Sequence, residues 1–386
     1  MVSSFKQMSK RKVLYLPSTP LNVLVAVAHA STLSKEQISQ IVLIDQKNRD
    51  NNVYFKALQQ WKNSPFEKVE LTLGIAKGWQ KKAERTKNFT VLASWFEQFQ
   101  PNVIATGSDR RVEFQYLMHM SLSNASSVEG WYMDDGLYSY AGRKSHWLKD
   151  SVNSVLKKIV YGHWWQEPRL VGSSLWIKQA WLFQPDRSID ALNAKVKQAL
   201  PTQWFTSLDV QVISRAICEG FGLKDVAIER LKEVDVVVLI PHPNNIKKML
   251  GYPERVGRFV GALNKQGKRV AIKYHPRTKE LDPLFLQDDE NSWVMPSGLA
   301  FEFVLPMLKP QAIVVGDVGT TLLTTKWLRP DIQSIAVLPE KNEFESDFRA
   351  LFLSFGVTVL NDFNAIADLN SNSPVLEFKV NRPLDD

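Results

Sequence analysis

Short runs of β-branched and apolar residues recur along this chain, separated by longer amphipathic stretches, and that alternation leaves few folds open. In the first half the runs at 12–16, 40–44, 68–73, 102–106 and 130–133 read as strands, with helices expected at 21–33, 52–61, 81–99 and 111–122. The second half repeats the scheme, with strands expected at 235–241, 269–274, 312–315, 334–337 and 357–359 and helices at 253–265, 298–308 and 320–328. Such an order predicts parallel sheets covered by helices. At 386 residues and 44% apolar content the chain exceeds one ordinary core. The expected fold is therefore α/β, two Rossmann-like lobes facing across a cleft. The divisions are an N-terminal lobe over 1–141, a connection over 142–231 and a C-terminal lobe over 232–386.

The connection is rich in Trp and Lys and poor in strand signals, so it reads as helical. Five tryptophans, Trp147, Trp164, Trp165, Trp176 and Trp181, fall in its first part, where seven Lys and Arg oppose two acids between Arg143 and Trp181. Two readings stand for it. Either the tryptophans are core and the lysines solvated, or the segment rests on the anionic inner face of the cytoplasmic membrane, where tryptophan and basic residues both partition. The net charge of +8 favours anionic company of some kind, whether nucleic acid, a phosphorylated donor, an acidic glycan or a lipid surface. Cys218 is the only cysteine, which excludes an internal disulfide and predicts a reducing, cytoplasmic location. No apolar run reaches the roughly 18 residues of a membrane span. The basic stretch from Lys6 to Lys12 lacks the apolar core and cleavage site of a signal peptide.

In open α/β sheets ligands gather at the carboxyl ends of the strands, so the residues that follow strands are the candidates for chemistry. Asp134 and Asp135, in Gly-Trp-Tyr-Met-Asp-Asp-Gly, end the last strand of the first lobe, where Gly136 permits a sharp turn and aromatic neighbours can raise a carboxylate toward general-base duty. Tyr-Met-Asp-Asp also occurs in polymerases, but the antiparallel palm and the further metal-binding Asp are missing around it. His275 follows a strand of the second lobe, held extended by Pro276 and flanked by Lys273 and Arg277, a setting that suits a phosphate. A second His-Pro, His242-Pro243, follows the preceding strand and reads as a loop that lines the cleft. Thr320 and Thr321 open a helix after a glycine-containing turn, an arrangement that binds anions through free N–H groups and hydroxyls. Glu302, in the first turn of the helix expected at 298–308, serves the helix dipole or grips ribose hydroxyls. No His, Cys or carboxylate cluster has metal-ligand spacing, so no metal and no cofactor are expected.

These motifs together resemble the bacterial sialyltransferases of GT-B fold, especially the lipooligosaccharide sialyltransferases and capsular polysialyltransferases. That family carries an acid-acid-glycine motif in its first lobe and a His-Pro motif and a Ser/Thr pair in its second; the matching residues here are Asp134-Asp135-Gly136, His275-Pro276 and Thr320-Thr321. Ser18-Thr19-Pro20-Leu21-Asn22 is similar to the family's Thr-Pro-Leu-Gln opening, and Gly107-Ser108-Asp109 falls where it has a polar turn. Asn22 stands for the glutamine and the hydroxyl pair is Thr-Thr, so the likeness spans both lobes but rests on short motifs.

The resemblance implies an inverting transfer of sialic acid from CMP-sialic acid to a hydroxyl of a cell-surface glycan, lipopolysaccharide, lipooligosaccharide or capsule, without a metal. It implies that an Asp of the pair, with Asp134 preferred, acts as base. His275, Pro276, Arg277, Glu302, Thr320 and Thr321 would hold the CMP donor, while Thr19, Asn22 and Asp109 would lie on the acceptor side. CMP-Kdo transferases share these motifs, so the donor sugar stays open, as does another nucleotide sugar. A non-catalytic nucleic-acid-binding protein accounts for the charge but not for acids at a lobe junction, so nucleic acid is not the expected partner.

Overall fold

The computed structural model describes residues 10–123, 127–141, 157–288, 290–339 and 343–366. Among them thirteen strands form two all-parallel sheets. The first contains β1 (Arg11–Leu16), β2 (Gln37–Gln46), β3 (Phe66–Leu73), β4 (Val103–Thr106), β5 (Glu129–Met133), β6 (Ile177–Leu182) and β7 (Val196–Ala199), in the order β3-β2-β1-β4-β5-β6-β7. The second contains β8 (Val236–Ile240), β9 (Val270–Tyr274), β10 (Ser292–Met295), β11 (Ile313–Gly316), β12 (Gln333–Val337) and β13 (Thr358–Leu360), in the order β10-β9-β8-β11-β12-β13. Central strands such as Val-Val-Val-Leu-Ile in β8 carry apolar side chains on both faces because helices cover both. In each sheet the order turns back beside the first strand of its lobe, between β1 and β4 and between β8 and β11, and these reversals face the cleft.

The helix α1 (Pro20–Thr32) shows how local sequence sets an element that positions the site. Thr19 caps it by accepting a hydrogen bond from the Asn22 N–H at 3.2 Å, and Pro20 occupies the first turn, where its missing N–H costs nothing. The lobes share one apolar core. Helix Leu208–Gly220 packs between α1 and helix Val53–Gln60 on one side and the turns at Phe301–Phe303 and Leu305–Met307 on the other. An aromatic cluster joins the lobes as well: Trp327 of helix Thr321–Leu328 meets Tyr140 at 4.8 Å, Phe183 at 5.5 Å and Phe355 at 5.6 Å between ring centres.

Two expectations are corrected. The segment 142–231 is not a helical connection throughout, since it supplies β6 and β7 to the first sheet; their Lys and Gln side chains mask a strand pattern at a sheet edge. Its described tryptophans belong to that lobe: Trp165 is 1% exposed, and Trp164, Trp176 and Trp181 are half-buried. This packing agrees with the core reading of these tryptophans, while Trp147, Arg143 and Lys144 lie outside the described residues. The helix expected at 298–308 is instead two 3-10 turns, because Pro306 cannot donate its backbone N–H and clashes with the preceding turn. The short edge strand β10 went unread in the sequence. Among the described residues no helix is long and apolar enough to cross a membrane.

Gly130 in β5 lies against the chain entering β6. A Cβ there would sit 2.4 Å from the Trp176 carbonyl oxygen and 3.0 Å from the Phe114 ring. Gly130→Ala is expected to lower the free energy of unfolding by about 1–3 kcal/mol in urea titration, the range for overpacking a filled interior.

Candidate active site in the interlobe cleft

A cavity of about 660 Å³ lies between the carboxyl ends of the two sheets. Thr19, Asp135 and Gly136 line it from the first lobe, and His242, Lys273, His275, Glu302, Thr320 and Thr321 line it from the second.

The two adjacent aspartates have different surroundings. Asp134 is 0% exposed and accepts four hydrogen bonds, from the Gly136 N–H at 2.9 Å, the Ser139 hydroxyl at 2.7 Å, the Phe183 N–H at 3.0 Å and the Tyr140 hydroxyl. Burial pushes its carboxyl up while those four donors pull it down. Both oxygens are engaged away from the cavity. Gly136, at φ 93°, then turns the chain back in a conformation that side chains with a Cβ rarely adopt. Asp135 is left at the cavity wall, half-buried, where it accepts a hydrogen bond from the Asn22 amide at 2.9 Å, with the Thr19 hydroxyl 3.5 Å away. Burial raises its pKa to about 6 against the Asn22 hydrogen bond, and the Asp134 charge raises it further. A carboxylate poised near neutrality and open to the cleft has the properties of a general base. Of the pair, Asp135 and not Asp134 lines the cavity.

On the second lobe two His-Pro loops lie side by side after β8 and β9, with their imidazoles 4.7 Å apart edge to face. Each ring accepts at Nδ1 from the backbone N–H two residues on, His275 from Arg277 at 3.1 Å and His242 from Asn244 at 3.0 Å. That acceptance places the ring proton of the neutral form on Nε2 in both. Burial, followed by the charges of His242, Lys273 and Arg277, lowers the His275 pKa, so at neutral pH it is an uncharged Nε2–H donor. Lys273 is the penultimate residue of β9, in a fully buried run, and donates to the Tyr274 and Ser297 carbonyls at 2.8 and 2.9 Å. Burial brings its pKa down to about 8, opposed by the charge of Glu302, whose own carboxyl burial raises. Thr320 and Thr321 open helix Thr321–Leu328; the Thr320 hydroxyl makes no capping bond, so it is available to a ligand.

Most predicted residues thus meet at one cavity, Pro276 included, but besides Asp134 three more do not line it. Asn22 is 2% exposed and acts through Asp135. Asp109 is fully buried and clips the chain at Gly172 and Ser174, accepting their N–H groups at 2.9 and 2.7 Å. Arg277 contributes its backbone N–H to His275 while its side chain is exposed. Lys273 lines the cavity as well, and its sequence signal is a lysine inside an otherwise apolar strand. Among the described residues no group of three or more His, Cys, Asp or Glu is arranged to hold a metal ion.

No protein-family model matches this sequence, and no curated protein matches it. The structure is similar to an α/β-galactoside α-2,3-sialyltransferase from Photobacterium phosphoreum, at 12% identity over 91% of this chain and 99% of that one, with a TM-score of 0.55. It is also similar to the GT-B domain of a sialyltransferase from Photobacterium damselae, at 13% identity over 91% and 99% of the two chains, with a TM-score of 0.54. The fold is GT-B. A Listeria monocytogenes protein provisionally described as a UDP-N-acetylglucosamine 2-epimerase matches as well, at 14% identity over 94% and 89% of the chains and a TM-score of 0.54. At such identities the likeness carries the architecture, and the chemistry has to be argued from the cleft.

The two aspartates should separate in stability measurements. Asp134→Asn turns an acceptor into a donor facing buried N–H and O–H groups and should cost on the order of 1–3 kcal/mol in thermal or chemical unfolding. Asp135→Asn should leave unfolding almost unchanged.

Proposed function

We propose that this protein is an inverting glycosyltransferase that moves sialic acid from CMP-sialic acid to a hydroxyl of a glycan acceptor. The observation that carries the reading is the opposition across one cavity of a first-lobe carboxylate poised near neutrality, Asp135, and a set of phosphate donors on the second lobe. The motif likeness to sialyltransferases supports the sugar, and the GT-B neighbours that transfer it support the frame.

In this reading the donor lies on the second lobe. The hydroxyls of Thr320 and Thr321 and the N–H groups at the start of their helix hold the CMP phosphate, and Glu302 holds the ribose. The Nε2–H of His275 donates to the phosphate oxygen as the glycosidic bond lengthens, stabilising the charge that gathers on the departing CMP. An acceptor hydroxyl attacks the anomeric carbon from the opposite side, its proton passes to Asp135, and the configuration inverts. Asn22 and Thr19 orient Asp135 for that transfer. His242 lies beside His275 with its own Nε2–H and lines the same cavity. The charge on the leaving phosphate is thus stabilised by protein hydrogen-bond donors, and we propose that no metal takes part.

Purified protein incubated separately with CMP-sialic acid, CMP-Kdo and UDP-sugars in EDTA should release nucleotide from CMP-sialic acid. Release from CMP-Kdo or a UDP-sugar alone would reassign the donor, and activity lost to chelation and restored by Mg²⁺ would overturn the metal-independent mechanism. Asp135→Asn should lower kcat by roughly 10²–10⁴ with little change in CMP affinity, whereas His275→Ala should weaken both.

The pH dependence has a definite sign. As a base, Asp135 works only when ionised, so kcat/KM should fall as pH drops through about 6. Asn22→Ala removes the hydrogen bond that favours the ionised form and should move that limb to higher pH. A limb that stays in place would show that another group titrates.

A further inference from the structure

A second cavity, of about 330 Å³, lies at the carboxyl ends of β2, β3 and β4 in the first lobe. Lys81, Arg85, Arg110, Arg111 and Lys157 line it. Arg85 pairs with Asp45 and Glu113, Arg111 pairs with the same Asp45, and Arg110 and Lys157 share Glu167. Five cations thus face three carboxylates, an excess of two positive charges. Lys81 is exposed at the rim and has no ion-pair partner among the described residues. Arg85, 7% exposed, keeps a buried Nε without a hydrogen-bond partner, so its two carboxylates do not satisfy it fully. Burial lowers the Lys157 pKa even though Glu167 opposes the shift, and the charges of Arg110 and Lys81 lower it further.

Like charges gathered at a partly buried wall favour a ligand that brings counter-charge, and guanidinium groups suit the planar or tetrahedral oxygens of an oxyanion. The cavity is also well placed to matter for transfer. Arg111, which lines it, is close enough to Asp135 for its charge to lower that pKa. We propose that this cavity is an oxyanion subsite that takes a phosphate or carboxylate group carried by the acceptor and so directs the acceptor hydroxyl to Asp135. The proposal rests on the assignment of Asp135 as the base and adds that the acceptor is itself anionic.

Calorimetric titration with inorganic phosphate and, separately, with glucuronate reads binding without turnover, so it stands apart from the donor assay. Saturable binding of phosphate alone would point to a phosphorylated acceptor, and of glucuronate alone to an acidic sugar. In either case Lys81→Glu and Arg111→Gln should each weaken binding by roughly tenfold when measured in a Thr320→Val background, which removes the donor cleft's own hold on phosphate. Binding sensitive to Thr320→Val but indifferent to Lys81→Glu would place the anion in the donor cleft and overturn the proposal, as would no binding of either anion at millimolar concentration. Lys81-sensitive binding in a protein that releases no nucleotide would keep the anion site and remove the transferase reading. With an active enzyme, Lys81→Glu should raise the KM of a charged acceptor about tenfold more than that of its neutral counterpart.

Discussion

The Asp134 carboxylate accepts four hydrogen bonds in a place that solvent does not reach, and much of the site's geometry follows from that one arrangement. The Gly136 N–H fixes the turn that swings Asp135 to the cavity wall. The Phe183 N–H ties β5 to the end of β6. The Tyr140 hydroxyl draws a ring into place against Trp327 of the second lobe. Trp327 belongs to the helix that Thr320 and Thr321 open, so the carboxylate that orders the first-lobe turn is linked by one aromatic contact to the proposed phosphate site. A buried ion without its partners would be costly, and here each oxygen has two.

The electrostatics of the two lobes are complementary in the proposed reaction. Asp135 is raised by burial and by its neighbour to a pKa at which it can exchange a proton near neutrality. Across the cleft, burial depresses His275 and Lys273, so the donor side has an uncharged imidazole and a lysine held to about 8 beside Glu302. The two His-Pro loops repeat one device, in which a backbone N–H occupies Nδ1 and aims Nε2–H outward. The proline that follows each histidine keeps it extended.

Much of this was legible in the sequence. The ten strands expected from apolar runs are all present, because a parallel sheet covered on both faces needs continuous apolar residues and those stand out in a chain. The missed strands, β6, β7 and β10, are edge or near-edge elements that carry Lys, Gln or Ser, where partial solvation removes the signal. The residues 298–308 misled because their apolar spacing suggests a helix that Pro306 does not allow. In the site, Asp135 and His275 stand out as strand-end residues and Glu302, Thr320 and Thr321 as openings of expected helices, whereas Asp109 was placed by the resemblance and Arg277 by its nearness to His275, and neither lines the cavity.

The sequence by itself determined the α/β alternation, the two lobes and the strand ends on which the polar residues fall, since periodicity and chain order are one-dimensional properties. Tertiary structure alone decided which aspartate of the pair faces the cavity. Adjacent residues point to opposite sides, and the side chosen depends on Ser139, Tyr140, Phe183 and Asn22, of which Phe183 and Asn22 lie far away in the chain. It also decided that Trp165 is core, because its burial comes from the lobe it packs against and not from its neighbours in the chain.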